Sequence, residues 1–253
     1  TILRLWNLSS FPAGLNADEA AIGYNAYSLI QTGRDEYGQI FPLAFKSFGD
    51  YKPGLYFYFV APFVWLFGLN EWAVRLPSAL LGIGTIVLIF FLGRKIFQSE
   101  AVGILAALLL AISPWHIHFS RGGWETNAAT FFITLFVLLF TYGLEKKKFL
   151  FGSLLAGLAA MYTYQSPRLI IPILLLALII IYRNSLTTIL QTMVVSRKII
   201  FPLILVILSV PLILQFTSGV GGARFSGLSS FADPGPASRV NELRGEHPDH
   251  GSG

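Results

Sequence analysis

Two adjacent carboxylates, Asp18 and Glu19, a lysine followed by proline at Lys52, and two arginines near the ends of apolar stretches, Arg121 and Arg168, are the residues here best suited to chemistry. A carboxylate can take the proton from an acceptor hydroxyl as a glycosidic bond forms. Cations can stabilise the negative charge that builds on a departing phosphate. Structural readings stand beside these. Two acids in a first helical turn also complement the helix dipole, for about 0.3–1 kcal/mol. Lys52 could anchor at a membrane interface by snorkelling, and Arg168 could anchor a helix end. Arg75 reads as a structural partner of Glu71, four residues earlier. His116 and His118, two apart, point to different sides of a helix and read as interfacial rather than metal-binding.

The elements that must position these groups are set by composition. Hydrophobic residues make up 54% of the 253 and charged residues 12%, against about 25% charged in a soluble domain; the mean hydropathy is +0.65. The sequence predicts an all-α, polytopic integral membrane protein with about six transmembrane helices, at 72–93, 101–119, 126–144, 149–164, 169–182 and 199–216. One set of loops carries Arg94, Lys95, Lys146, Lys147, Lys148, Arg183, Arg197 and Lys198, and the alternate set only Arg121 and Arg168. That asymmetry places the Lys-rich loops in the cytoplasm. The net charge of +5 therefore reads as topology and lipid contact, with no nucleic-acid partner. With no cysteine there is no disulfide, thiolate metal site or cysteine nucleophile.

A further apolar stretch at 54–67 is too short to span, and Pro62 interrupts it. Its aromatics suit the headgroup level, so it reads as interfacial or re-entrant, which leaves 1–52 outside. There Asn16 reads as an N-cap with Glu19 at the third helical position. Ile22, Ala26, Leu29 and Ile30 share one face, and Gly33 is the stop. The sequence thus predicts a short amphipathic helix on the outer membrane surface. The organisation is an extracytoplasmic loop with an acid motif (1–71), a helical bundle (72–216) and a polar outer loop (217–253). Neither terminus looks natural, and we expect a piece of a longer protein with at least one preceding span.

The strings Asn16-Ala-Asp-Glu-Ala20, Gly23-Tyr-Asn-Ala-Tyr27, Gly33-Arg-Asp-Glu-Tyr-Gly38, Gly49-Asp-Tyr-Lys-Pro-Gly54, Val74-Arg-Leu-Pro-Ser78 and Ser113-Pro-Trp-His-Ile-His-Phe-Ser-Arg121 occur in this order along nearly the whole chain. In that arrangement the sequence resembles bacterial protein O-mannosyltransferase-like glycosyltransferases, the GT-C group that includes the aminoarabinose transferases. The resemblance implies an inverting glycosyltransferase of the cell membrane with an extracytoplasmic active site. Its donor would be a polyprenyl-phosphate-linked sugar and its acceptor a protein, lipid or glycan. It makes Asp18 the general base and Glu19 its neighbour. Lys52 would contact the carrier phosphate, with Arg121 supporting, so Asp18, Lys52 and Arg121 should face one cavity. Arg168, by its place on an outer turn, is a further candidate to line the donor cavity. Aminoarabinose transferases place a metal-holding carboxylate immediately before that lysine. Tyr51 stands there instead, so a divalent metal is not expected. This piece alone is expected to be inactive. The competing readings are a transporter or lipid-carrier flippase, which calls for ionisable groups near mid-span, and a non-catalytic assembly subunit.

Overall fold

The computed structural model describes residues 2–47 and 50–192, together with 203, 206, 207 and 209–214. Its elements in order are helices α1 (Ile2–Leu5) and α2 (Ala17–Thr32), strands β1 (Ala44–Ser47) and β2 (Asp50–Pro53), and helices α3 (Leu55–Phe67), α4 (Glu71–Phe97), α5 (Glu100–Ile112), α6 (Pro114–Arg121), α7 (Glu125–Gly143), α8 (Lys148–Thr163), α9 (Pro167–Ile181) and α10 (Arg183–Gln191).

Beside the helices stand two four-residue strands that the sequence did not announce. They pair antiparallel, with Phe45 opposite Lys52 and Ser47 opposite Asp50. Directly opposed residues of such a pair share a face. Phe45 is fully buried and stacks on Phe57, ring centroids 4.1 Å apart. Lys52 is thereby carried to the buried face of the hairpin rather than to solvent.

Helix α2 begins at a complete capping box. Glu19 N donates to Asn16 Oδ1 at 2.8 Å, and Asn16 N donates to Glu19 Oε2 at 3.1 Å. It ends at Gly33, whose φ of 69° is the left-handed conformation that favours glycine. Its apolar face packs on protein, not on lipid as expected. Ile22, Ala26 and Leu29 join Phe45, Tyr56, Phe57, Val60 and Val74 in one core between α2, α3 and α4. Each large apolar side chain so buried contributes about 1.5–3 kcal/mol. Two aromatics expected at the headgroup level, Tyr56 and Phe57, belong to this core. Trp65, Leu66 and Phe67 at the far end of α3 are exposed. At 13 residues, α3 is roughly 20 Å long, short of a bilayer core of about 30 Å.

Among the described residues two helices, α4 and α7, are individually long and apolar enough to cross a membrane. The pairs α5–α6 and α9–α10, bent by 61° and 85°, bring the number to as many as four. Six spans are not established: α8 has 16 residues, and the stretch 199–216 lies largely outside the described residues, as do Arg197, Lys198 and 217–253. The basic loops do meet at one end of the bundle. Lys95, at the end of α4, pairs with Glu145 in the α7–α8 turn, and Lys147 Nζ donates to Thr192 Oγ1 at 2.6 Å.

Candidate active site

At the opposite end of the bundle, the first turn of α2, the hairpin, the start of α7 and the end of α8 enclose a cavity of about 190 Å³. Asp18, Lys52, Phe119, Trp124, Glu125 and Tyr164 are among the side chains lining it. Lys52 Nζ stands 2.6 Å from Asp18 Oδ1 and 3.6 Å from Glu125 Oε1. Its ammonium is buried yet makes no hydrogen bond of good geometry, so it is held by charge rather than by directed bonds. The two carboxylates differ in access. The Asp18 side chain is 42% exposed and that of Glu125 only 7%. A mobile acceptor can therefore reach the first and not the second. Gln165 Nε2 donates to Tyr51 O at 2.8 Å and ties β2 to the turn after α8.

Asp18 and Lys52 thus come together, while the other sequence-predicted residues stand elsewhere. Glu19 turns inward. Its Oε1 accepts from Arg75 Nε and from Gly123 N, both at 2.8 Å, and its Oε2 accepts from an Arg75 terminal nitrogen at 3.0 Å. Arg75 is fully buried. Its remaining N–H groups donate to the Leu8, Pro12 and Gly14 carbonyls, so all five find acceptors. The expected Glu71–Arg75 pair is thereby replaced by Glu19–Arg75. Burial by itself pushes the Glu19 carboxyl up, but the bonds from Arg75, Gly123 and Asn16 outweigh it and hold the group below the ordinary carboxylate range.

Arg121 is not in the cavity, which corrects the expectation of a shared Asp18–Lys52–Arg121 site. Its guanidinium donates to the carbonyls of Leu3, Trp6, Asn7 and Phe11. A polar loop whose backbone forms few bonds of its own leaves carbonyls open, and a planar fork of N–H groups collects them. Arg168 lies at the start of α9, outside the residues lining the cavity, and its Nε donates to Met161 O at 3.3 Å. His118 is exposed and His116 buried, as their spacing predicts. His116 Nδ1 lies 2.7 Å from a terminal nitrogen of Arg4, itself buried. Arg4 also donates to the Leu110 and Ala111 carbonyls at the end of α5, where the chain bends into α6.

The residue that sequence reasoning passed over is Glu125. The available signal was a carboxylate opening an otherwise apolar span, a position that lipid would penalise without a partner. Among the described residues no group of three or more His, Cys, Asp or Glu side chains gathers as a metal site. The ionic cluster is two carboxylates about one ammonium, an arrangement that can exchange the ammonium's partner for an incoming anion.

A family model described as "Dolichyl-phosphate-mannose-protein mannosyltransferase" matches residues 51–213. A protein of Aquifex aeolicus (strain VF5), described as "Uncharacterized protein", is 35% identical over 123 residues, which is 48% of this chain and 25% of that protein. The Bacillus subtilis (strain 168) protein "Putative mannosyltransferase YkcB" is 33% identical over 81 residues, 32% of this chain and 11% of that protein. The aligned part of this chain therefore spans a quarter or less of those relatives. No solved structure matches the chain.

Proposed function

Because the chain belongs to the dolichyl-phosphate-mannose-protein mannosyltransferase family, we propose that it carries the acid-and-lysine half of a membrane glycosyltransferase site. That enzyme moves a sugar from a polyprenyl-phosphate donor to an acceptor hydroxyl, with inversion, on the extracytoplasmic side. The observation that carries this reading is the buried Lys52 ammonium between Asp18 and Glu125, at the end of the bundle away from the lysine-rich loops. A donor phosphate entering the cavity takes over the ammonium, and the Asp18 carboxylate becomes available to the acceptor. Asp18 accepts the hydroxyl proton as the acceptor oxygen bonds to the sugar's anomeric carbon. The bond from that carbon to the phosphate oxygen breaks, and its electron pair leaves with the phosphate beside Lys52. Glu125, buried with its Oε1 3.6 Å from the ammonium, keeps Lys52 in place through the cycle. Phe119 and Trp124 close the cavity with apolar surface, which strengthens each charge interaction inside it.

The test is Asp18→Asn in the full-length protein, reconstituted in liposomes with a polyprenyl-phosphate mannose donor. Turnover should fall by about 10²–10⁴-fold, the range for loss of a general base, while affinity for polyprenyl phosphate holds. Near-normal turnover would refute the assignment of the base.

A further inference from the structure

Beside the carboxylate–lysine cavity a second one, of about 430 Å³, lies among α5, α6 and α7 and shares Phe119 and Thr126 with the first. His116 and Asn127 line it and are 7% and 2% exposed. His116 Nε2, Asn127 Oδ1 and Thr126 Oγ1 all lack a hydrogen-bond partner among the described residues. Unpartnered buried polar atoms are uncommon, and each calls for an explanation. Three on neighbouring side chains of one cavity call for a shared one.

Their hydrogen-bonding characters can be assigned. A guanidinium only donates, so His116 Nδ1, 2.7 Å from Arg4, accepts. The ring is then the neutral tautomer with its hydrogen on Nε2, a donor. Asn127 Nδ2 donates to Ser78 O at 2.7 Å and to Ser78 Oγ at 3.0 Å. Both amide hydrogens are used, and Oδ1 is fixed as an acceptor. Thr126 adds a hydroxyl, which can do either. No charged side chain lines the cavity, whereas Lys52, Asp18 and Glu125 line its neighbour. One donor, one acceptor and one hydroxyl without net charge match adjacent hydroxyls of a neutral ligand, and match neither a phosphate nor a cation. Trp115 and Phe119, ring centroids 5.1 Å apart, line the same cavity and offer apolar surface to the C–H face of a pyranose.

We propose that this cavity is the subsite for the neutral sugar ring of the lipid-linked donor, with its hydroxyls read by His116, Thr126 and Asn127 while its phosphate meets Lys52. The inference rests on the donor reading above. It is tested with the full-length protein in nanodiscs and two probes, polyprenyl phosphate and polyprenyl-phosphate mannose. Wild type should bind the sugar-bearing probe more tightly. Thr126→Val, which removes a hydroxyl and little else, and Asn127→Ala should each lower that affinity roughly tenfold, the order of one buried neutral hydrogen bond. Asn127→Ala, at a residue outside the Lys52 cavity, should leave affinity for bare polyprenyl phosphate unchanged. Thr126→Val, whose side chain both cavities share, should lose more for the sugar-bearing probe than for the bare one, whereas Lys52→Met should weaken both probes. If Asn127→Ala does not fold, because it also frees Ser78, the ratio of the two affinities in Thr126→Val decides. Equal loss for both probes, no loss for either, or no wild-type preference for the sugar would overturn the subsite and leave the donor reading standing. A wild type that binds neither probe would overturn the donor reading and the subsite with it.

Discussion

Replacing Glu19 by glutamine is expected to destabilise the fold far more than the loss of an ordinary cap. Four donors converge on this carboxylate: Arg75 Nε and Gly123 N on one oxygen, an Arg75 terminal nitrogen and Asn16 N on the other. A glutamine keeps one accepting oxygen and turns an NH₂ group toward the remaining two donors. It also leaves the guanidinium of Arg75, 0% exposed, without its counter-charge. Breaking a buried pair by removing one partner costs about 3–5 kcal/mol, which for a chain of this size lowers Tm by roughly 6–20 °C. The pH dependence has a definite sign. The folded-state pKa of Glu19 lies below the ordinary value. The stabilisation is therefore complete above the unfolded carboxylate pKa of about 4.3 and is lost as pH falls through the lower folded value. Wild type and Glu19→Gln should differ most near neutrality and converge in acid. The assay is thermal unfolding in detergent, followed by circular dichroism across that pH range. A Glu19→Gln protein within a degree or two of wild type at pH 7, or a difference that does not shrink in acid, would refute the buried-pair account.

Arg121→Met should make the 6–14 segment more open to proteolysis while leaving affinity for polyprenyl phosphate unchanged; a loss comparable to that of Lys52→Met would make Arg121 a phosphate ligand after all. Gly82→Ala should lower stability by about 1–3 kcal/mol, because the added methyl carbon would stand 2.2 Å from Ser120 Oγ where α4 crosses α6; an unchanged Tm would show that the two helices separate there freely. Single cysteines at Gln39 and Lys146, placed in a chain that has no other, should label from opposite sides of the membrane. Labelling from the same side would move the proposed site to the cytoplasm.

Local signals carried much of this fold in the sequence. The capping box at Asn16 and the glycine stop at Gly33 bound α2 as their chemistry requires. The charge alternation agrees with basic loops that meet at one end of the bundle. What the sequence concealed was tertiary. A hairpin of four-residue strands has too short an alternation to stand out, yet its register decides that Lys52 points inward. The Glu19–Arg75 pair joins residues 56 apart, and helical spacing favoured the nearer Glu71. Arg121 carries the same charge whether it grips phosphate or carbonyls. Only the fold shows that the N-terminal segment already occupies it.

That segment is held almost wholly by groups made much later in synthesis. The carbonyls of residues 3–14 wait for Arg75 and Arg121, and Arg4 waits for Leu110, Ala111 and His116, at separations of 61 to 118 residues. At a translation rate of about 5–20 residues per second, the segment emerges roughly 6–24 seconds before its last partner exists. During that interval these carbonyls lack the guanidinium donors that hold them in the finished fold, so the segment takes its final place only once α6 has been made. Asp18, which follows directly on this segment, is therefore made well before the two arginines that hold its neighbours in place.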